Sequence, residues 1–363
     1  MGERAEVTVT AAAATPATTP ELRDREGKPV DAVLRDDWHV VGPAASLRDG
    51  VDLLPIGGRA TTRLLNVDLL LWRPDEQVRV WRDLCIHRGY ELSRGKYFTH
   101  TIDDKAVPVI ECGYHGYTYG PDGRCLFIPA SPEERIPETI GAMTFRVQER
   151  YGWLWACLGE PKHDIPAFPE WDDPSYRKIF CGPYDGAASA PRFVEIFLDV
   201  AHFPFVHEGR LGVRERTDIA DYDARLTEDG VEAIGIRVFQ PDQDGRGTAG
   251  YVSYDYRAMR PLCAYFVKRG ERSFAIYYAV TPLEENRSRN WMWIAMNYGW
   301  EEPEEAIRSF QDELMAEDTA IVVHQHPSRL PRDLQAEFHH RADRASIRYR
   351  QWINALGLTF GTE

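Results

Sequence analysis

Cys85-Ile86-His87-Arg88-Gly89 is followed by Cys112-Gly113-Tyr114-His115-Gly116, with 24 residues between His87 and Cys112. Each stretch offers one thiol and one imidazole, and the glycines permit tight turns in which backbone amides can point at sulfur. A cluster of two irons and two sulfides with mixed ligands needs two Cys on one iron and two His on the other. A zinc finger would place a Cys pair before a His pair, so a structural zinc site is the weaker alternative.

The residues around these two stretches predict a small antiparallel β domain. From Trp38 to about Leu158, short apolar segments alternate with Gly and Pro, which is typical of strands joined by turns. A Pro-rich passage at 159–174 follows, and Pro favours irregular connections because it cannot donate to a strand ladder. We therefore place the β domain at 38–160. The clearest predicted strands are 64–69, 78–81, 107–110 and 152–155.

Residues 161–363 predict a second, α+β domain. A run of strands followed by helices is typical of an antiparallel sheet covered by helices. Residues 1–37 carry too few large apolar groups to offset the entropy of ordering, so we predict a mobile N-terminal arm that could dock locally. In the second domain we expect a helix near 191–202, strands at 233–238, 274–278 and 291–296, and helices after residue 303.

The spacing Asp199-x-x-His202-x-x-x-x-His207 predicts a separate metal site. In a helix opened by Pro191, Asp199 and His202 share a face, and Pro204 should end or kink the helix so that His207 can turn toward His202. Two His and one carboxylate form a facial triad that leaves positions open for dioxygen and a substrate. Without a third ligand, the two His would be better explained as buried histidines satisfied by their neighbours.

Asp318 is the candidate for the third ligand. It lies four residues after Leu314 in the helix predicted after Pro303, within a stripe that should face the core. A carboxylate in such a stripe is unfavourable unless it is paired or bound to a cation. The apolar members of the stripe are Ile307, Phe310, Leu314 and Ile321.

Composition argues against several classes of function. The chain has 43 basic and 57 acidic residues and a net charge of −14, whereas nucleic-acid binding relies on clustered Lys and Arg. We find neither a secretory signal nor an apolar run of the ~20 residues that span a bilayer, so we expect a soluble, cytoplasmic protein without membrane association. The remaining cysteines have no regular spacing and are interpreted as reduced thiols. They are Cys125, Cys157, Cys181 and Cys263.

Taken together, these residues resemble the Rieske non-haem iron oxygenases, especially the monooxygenases and demethylases of the vanillate and caffeine type. The two Cys-His stretches look like the cluster loops of that family, and residues 189–209 resemble its iron site. Glu317-Asp318, with Gln325-His326-Pro327 and Leu330-Pro331, is similar to the C-terminal motif of the same branch. The resemblance covers roughly residues 38–355.

The resemblance implies two cofactors. It also implies a homotrimer in which Asp199 joins His202 of one subunit to His115 of the next, which would make Asp199 a catalytic bridge that shortens the electron path. The implied ligands of the [2Fe-2S] cluster are Cys85, His87, Cys112 and His115. The implied ligands of the mononuclear Fe(II) are His202, His207 and Asp318.

The implied activity is that of an oxygenase component that uses O2. Electrons would come from NAD(P)H through a flavin/iron-sulfur reductase or a ferredoxin, and a small aromatic or heterocyclic substrate would be hydroxylated or O- or N-demethylated. One alternative is the alpha subunit of an aromatic-ring cis-dihydroxylating dioxygenase. A more remote one is a non-enzymatic Rieske electron carrier, which would not need the second metal site.

Two features outside the motifs complete the prediction. The interval between His87 and Cys112 exceeds the one usual in the family, so residues 96–105 should form an extended hairpin. Aromatic residues at alternate strand positions are candidates for the substrate pocket, although this pattern is also typical of a plain core. They are Tyr265, Phe266, Phe274, Tyr277, Trp291 and Trp293.

Overall fold

The structure is a computed structural model, and it describes residues 21–102, 104–243 and 246–363. The chain divides into two compact units. One contains the described residues up to Val30 together with Arg35–Asp164, and the other contains Asp31–Leu34 and Ile165–Glu363. No helix within the described residues is long and apolar enough to cross a lipid bilayer.

The first unit is an antiparallel β structure. Its strands are β1 (His39–Pro43), β2 (Arg59–Leu64), β3 (Val67–Trp72), β4 (Arg79–Arg82), β5 (Lys96–Ile102), β6 (Lys105–Glu111), β7 (Thr118–Tyr119), β8 (Cys125–Phe127), β9 (Thr144–Arg150) and β10 (Trp153–Cys157). A six-stranded sheet has the order β1-β10-β9-β4-β3-β2, and a four-stranded sheet has the order β5-β6-β7-β8. Cys85 and Cys112 belong to a buried hydrophobic core that also contains Trp72, Trp81 and Tyr119.

The predicted strand 64–69 is interrupted by a hairpin turn at Leu65 and Asn66, between the end of β2 and the start of β3. Leu65 and Asn66 have φ values of 53° and 59°, and a two-residue turn with positive φ matches the twist of the strands it joins. Leu64 pairs with Val67 across the turn. The turn was missed because Leu64, Leu65 and Val67 are all buried, so the apolar run continues through it.

The predicted hairpin at 96–105 is confirmed. Strands β5 and β6 pair in register from Lys96 opposite Glu111 to Ile102 opposite Lys105. Asp103 lies outside the described residues. The hairpin places β5 at the edge of the four-stranded sheet.

The N-terminal segment differs from the predicted mobile arm where the structure describes it. Residues 1–20 lie outside the described part, but Leu22, Val30 and Leu34 are buried. The Asp24 carboxylate accepts the backbone N–H groups of residues 26 and 28 and the side-chain amide of Asn66. A local turn therefore satisfies the polar groups of this segment, while a few apolar side chains anchor it.

The second unit is one antiparallel sheet with helices packed on it. Its strands are β11 (Arg177–Gly186), β12 (Asp223–Thr227), β13 (Gly230–Gln240), β14 (Gly250–Arg260), β15 (Cys263–Lys268), β16 (Phe274–Glu284) and β17 (Arg287–Met296), in the order β11-β17-β16-β15-β14-β13-β12. The α-helices within the described residues are α1 (Ala32–Arg35), α2 (Ala190–Leu198), α3 (Phe203–Val206), α4 (Glu304–Val322) and α5 (Arg344–Leu356). The predicted fold class, an antiparallel β domain followed by an α+β domain, is confirmed.

The register of this sheet separates its aromatic side chains onto two faces. Tyr256 pairs with Phe266, and paired residues of antiparallel strands point to the same side. Phe197 of α2 packs on that side, with ring centroids 5.8 Å from Tyr256, 5.5 Å from Phe266 and 4.7 Å from Tyr278. This aromatic face is therefore the one on which α2 lies.

Only two of the six pocket candidates share that face. Phe266 lies on it, and the Phe274 ring packs 6.0 Å from the Phe266 ring. The others alternate to the opposite face, where Tyr277 stacks on Phe168 and Trp293 packs against Trp171. Strand alternation thus places four of the candidates on the face opposite α2, where they pack as core residues. They are Tyr265, Tyr277, Trp291 and Trp293.

Candidate metal centres

The two Cys-His loops share one backbone hydrogen-bond pattern. In each loop the Cys N–H donates to the carbonyl five residues later, and the Gly four residues later donates to the Cys carbonyl. Gly89 and Gly116 have φ values of 69° and 71°, which a side chain would strain. Cys85 and Cys112 therefore occupy equivalent positions in two loops of the same backbone conformation.

These loops bring two thiols together in the interior and two imidazoles together at the surface. Cys85 and Cys112 are buried and lie within hydrogen-bonding reach of each other. The ring centroids of His87 and His115 are 4.5 Å apart, and both residues are exposed. This division fits a cluster with the Cys pair on an inner iron and the His pair on an outer iron.

The polar groups around the thiols also fit a cluster. Burial raises the pKa of the Cys112 thiol, whereas the backbone N–H groups of Tyr114 and His115 hydrogen-bond to its sulfur and lower this pKa. Desolvation, with His115 and Arg88 nearby, lowers the pKa of His87. A thiolate that accepts amides and a neutral imidazole are the ligand forms that iron needs.

Tyr119, which the sequence did not predict, is a neighbour of the candidate cluster ligands. Its hydroxyl lies 3.0 Å from Cys85 Sγ, and the side chain is fully buried. Burial, together with the nearby Cys85, raises the pKa of the phenol, so it keeps its proton. With Cys85 as a thiolate, Tyr119 is the donor, and such hydrogen bonds tune cluster potentials.

The second centre forms where three segments of the chain meet. His202 lies in the turn after α2, His207 follows α3, and Asp318 belongs to α4. One ligand atom from each lies within 4.8 Å of the other two. Asp318 Oδ1 is 3.0 Å from His207 Nε2 and 3.4 Å from His202 Nε2. Despite these short distances, neither Asp318 Oδ1 nor His202 Nε2 has a partner with hydrogen-bonding geometry, and both atoms are buried. This is expected of atoms that face a metal.

The electrostatics of this site favour a bound cation. Burial lowers the pKa of His202, but its contacts with Asp199 and Asp318 outweigh burial and raise the pKa to about 9. Burial would raise the pKa of Asp318, yet the contacts with His202 and His207 hold that pKa below its ordinary value. Both shifts indicate that a positive charge beside Asp318 is stabilised, and a divalent metal would supply it.

Helix α2 ends earlier than predicted. Its last residue is Leu198, and Asp199 has extended φ and ψ of −88° and 137°. The Asp199 carboxylate accepts the Ala201 N–H at 2.8 Å, a local turn that competes with continuation of the helix. Pro204 lies in the first turn of α3, where proline is tolerated. The prediction that Pro204 ends or kinks the helix through His202 is therefore wrong.

The buried stripe of α4 also differs from the prediction. Phe310 and Ile321 are 44% and 43% exposed, so they are not core residues of this chain. Asp318 nevertheless lies in the buried stripe, four residues after Leu314 and four before Val322. Two long polar side chains complete the stripe, which hydropathy alone would not identify. The buried residues of α4 are Arg308, Gln311, Leu314, Met315 and Val322.

A carboxylate orients each of the two imidazoles. Asp199 Oδ2 is 3.0 Å from His202 Nδ1, and Glu317 Oε2 is 2.7 Å from His207 Nδ1. Carboxylates in these positions fix the tautomer that leaves Nε2 free for a metal. In the sequence, Glu317 stands out only as part of the C-terminal motif. Its one signal was its position beside Asp318.

The aromatic face of the sheet borders this site. The Phe203 ring packs edge-on to the His202 ring at 4.9 Å and lies 6.2 Å from the Tyr254 ring. Burial raises the pKa of Tyr278, and the negative charge of Asp318 raises it further. Apolar and aromatic surroundings of this kind exclude water and hold a flat ligand.

Comparisons with known proteins agree with this arrangement. Residues 37–146 match the Rieske [2Fe-2S] domain, and residues 187–359 match the vanillate O-demethylase oxygenase C-terminal domain. Methylxanthine N1-demethylase NdmA of Pseudomonas putida is 28% identical over 336 residues, which is 89% of this chain and 89% of NdmA. The probable methylxanthine N7-demethylase NdmC of Pseudomonas sp. (strain TJI-51) is 32% identical over 219 residues, or 58% of this chain and 77% of NdmC.

A solved structure of NdmA from Pseudomonas putida CBB5 superposes with a TM-score of 0.71 and 25% identity, and covers 89% of this chain and 91% of NdmA. Both halves of the chain thus match a cluster domain followed by an oxygenase domain. The chain belongs to the Rieske non-haem iron oxygenases, in the branch that contains the vanillate and methylxanthine demethylases.

Proposed function

We propose that this chain is the oxygenase component of a Rieske monooxygenase that hydroxylates, or removes an O- or N-linked methyl group from, a small aromatic or heterocyclic substrate. The observation that carries the proposal is the convergence of His202, His207 and Asp318 within 4.8 Å beside an aromatic face. The demethylase relatives support the reaction type.

The proposed ligands follow from this geometry. We assign the [2Fe-2S] cluster to a domain at 38–160 and the mononuclear Fe(II) to a domain at 161–363. The proposed cluster ligands are Cys85, His87, Cys112 and His115. The proposed iron ligands are His202, His207 and Asp318.

A non-haem Fe(II) at the triad would supply O2 activation, using electrons that arrive through the cluster. Overall, one oxygen atom enters a C–H bond and the other leaves as water, while two electrons and two protons are consumed. A hydroxylated methyl on N or O then collapses to formaldehyde and the demethylated product. The part of the protein is to orient one substrate carbon and to exclude water. The residues that we propose for these tasks pack together on the aromatic face of the sheet, and they are Phe203, Tyr254, Phe266 and Phe274.

The proposed partners follow from the exposed end of the cluster site. His87 and His115 are exposed, so a flavin/iron-sulfur reductase or a ferredoxin that draws on NAD(P)H could deliver electrons there. We further propose a homotrimer in which Asp199 connects His202 to His115 of the neighbouring subunit. Asp199 has 29% of its side chain exposed, which leaves it accessible for such a contact.

Two alternative functions receive less support. An electron carrier would have no use for the unpartnered, buried ligand atoms of His202 and Asp318. A ring-dihydroxylating alpha subunit would use the same two centres, but the match of 187–359 to the vanillate O-demethylase oxygenase domain favours demethylation.

The test is product analysis with the purified protein, a reductase and NADH. We expect formaldehyde release from some members of a panel of methylated aromatic and N-methyl heterocyclic compounds, and none from the Asp318→Ala variant. A cis-diol product without formaldehyde would favour the dioxygenase. Cluster reduction without any oxygenated product across the panel would favour the electron carrier.

A further inference from the structure

The carboxylate that contacts His207 is itself clamped by an arginine. Glu317 Oε2 accepts from His207 Nδ1 at 2.7 Å, while Glu317 Oε1 accepts from Arg210 Nη1 at 3.1 Å. The second guanidinium nitrogen, Arg210 Nη2, pairs with Glu313 at 2.9 Å. Glu313 and Glu317 are one turn apart on α4, so a single arginine ties this helix to the segment that carries His207.

The backbone places the clamp and the candidate ligand in the same turn. The Arg210 N–H donates to the His207 carbonyl at 3.0 Å, so Arg210 lies in the turn that follows His207. The His207 side chain is 2% exposed, compared with 34% for Glu317. Glu317 therefore forms a partly solvated outer layer, and His207 lies between it and Asp318.

We propose that Glu317, oriented by Arg210, is a positioning residue that retains the mononuclear metal by holding His207. The proposal rests on the function proposed above and concerns the same site. By accepting the Nδ1–H, Glu317 fixes the tautomer in which the Nε2 lone pair faces Asp318, and it makes Nε2 a stronger donor to a metal. Loss of such a partner typically weakens metal binding about 10- to 100-fold.

Glu313 provides a matched control for Glu317. It lies on the same helix and pairs with the same arginine, but it contacts neither imidazole and its side chain is 60% exposed. If Glu317 acted only through surface charge or through the clamp on Arg210, neutralising Glu313 would have a similar effect. If Glu317 acts through His207, only Glu317 should matter.

The experiment is an anaerobic Fe(II) titration of protein freed of its mononuclear metal by mild chelation, with the cluster retained and a chromophoric chelator as competitor. We expect the Fe(II) Kd to rise about 10-fold in Glu317→Gln, whose neutral amide is a weaker acceptor, and about 100-fold in Glu317→Ala. Glu313→Gln should bind as wild type does. The cluster absorption spectrum should be the same in all four proteins.

Three results would overturn the proposal, and they are distinguishable. Equal Fe(II) affinity of Glu317→Ala and wild type would remove the positioning role and leave the proposed function intact. An equal loss in Glu313→Gln and Glu317→Gln would assign the effect to surface charge. Failure of wild type itself to bind Fe(II) would overturn the metal site, and with it the proposed function.

Discussion

The two candidate centres of this chain differ in how their ligands are buried. At the cluster site the thiols are buried and the imidazoles, His87 and His115, are exposed. At the second site the His207 side chain is 2% and the His202 side chain 12% exposed, and the Phe203 ring packs against both imidazoles. An exposed pair of imidazoles can receive electrons from a partner, whereas burial of a site excludes water from the reaction. The difference indicates one centre for electron entry and one for chemistry.

The largest effect should come from removing a cluster ligand, which tests whether the centres are separable. Cys112→Ser should lose the cluster and abolish turnover, because electrons no longer reach the second centre. The mononuclear site should still bind Fe(II), since none of its ligands belongs to the first unit. Iron and sulfide analysis with electron paramagnetic resonance measures both. Loss of Fe(II) binding together with the cluster would show that the two centres depend on each other.

A change at Asp199 should slow electron transfer between the two centres and leave both metals bound. Asp199→Asn preserves the shape of the side chain but replaces a charged acceptor with a neutral one. We expect both metals to remain bound and turnover to fall by roughly 100-fold. Single-turnover and steady-state assays, with iron counted in the same samples, measure the two quantities. Unimpaired turnover would rule out the bridging role.

A smaller effect, on the reduction potential of the cluster, is expected from a change at Tyr119. Tyr119→Phe removes the hydroxyl 3.0 Å from Cys85 Sγ. The reduced cluster carries more negative charge and gains more from this donor, so its loss should lower the reduction potential. A difference of about 1 kcal/mol corresponds to on the order of 40 mV for one electron.

Tyr97→Phe is the control for the measurement at Tyr119. Tyr97 packs against the same hydrophobic core as Tyr119, but its hydroxyl donates to the Leu92 carbonyl at 3.2 Å. A redox titration that is monitored by circular dichroism should give the same cluster reduction potential for Tyr97→Phe and wild type. Equal potentials in the Tyr119 variant and wild type would show that the hydroxyl does not tune the cluster.

The smallest effect on activity should come from the sheet face opposite α2. Tyr265 donates to the buried Glu170 carboxylate at 2.7 Å, and Tyr265→Phe should cost about 2 kcal/mol of unfolding free energy by leaving that carboxylate unpaired. Its kcat/KM should stay unchanged, whereas Phe266→Leu, on the α2 face, should lower kcat/KM. Denaturation and steady-state kinetics check the pair. A drop in kcat/KM for Tyr265→Phe alone would reverse the assignment of the faces.

The same contrast explains how much the sequence predicted. The two Cys-His loops could be predicted from their spacing because each is a short, self-contained turn with a glycine at a positive φ, while their role as cluster ligands stays a prediction. Asp318 was predicted by helical periodicity, although Phe310 and Ile321 of the expected stripe are exposed. The end of α2 was misplaced because the turn made by Asp199 with Ala201 competes with the helix, and residue preferences do not reveal it.

The contacts that the sequence did not predict are tertiary. Glu317 reaches His207 and Tyr119 reaches Cys85 only because separate segments of the chain pack together. A single sequence contains no spacing rule for such pairs. Likewise, the division of aromatic residues between the two sheet faces depends on strand register, which a one-residue shift would reverse.

The most direct test of two separate iron centres is metal analysis of wild type and Asp318→Ala, both purified without oxygen. We expect about three irons and two sulfides per wild-type chain, and about two irons and two sulfides in the variant, with an unchanged Rieske signal. Zinc in place of cluster iron, or the same iron content in both proteins, would contradict the account.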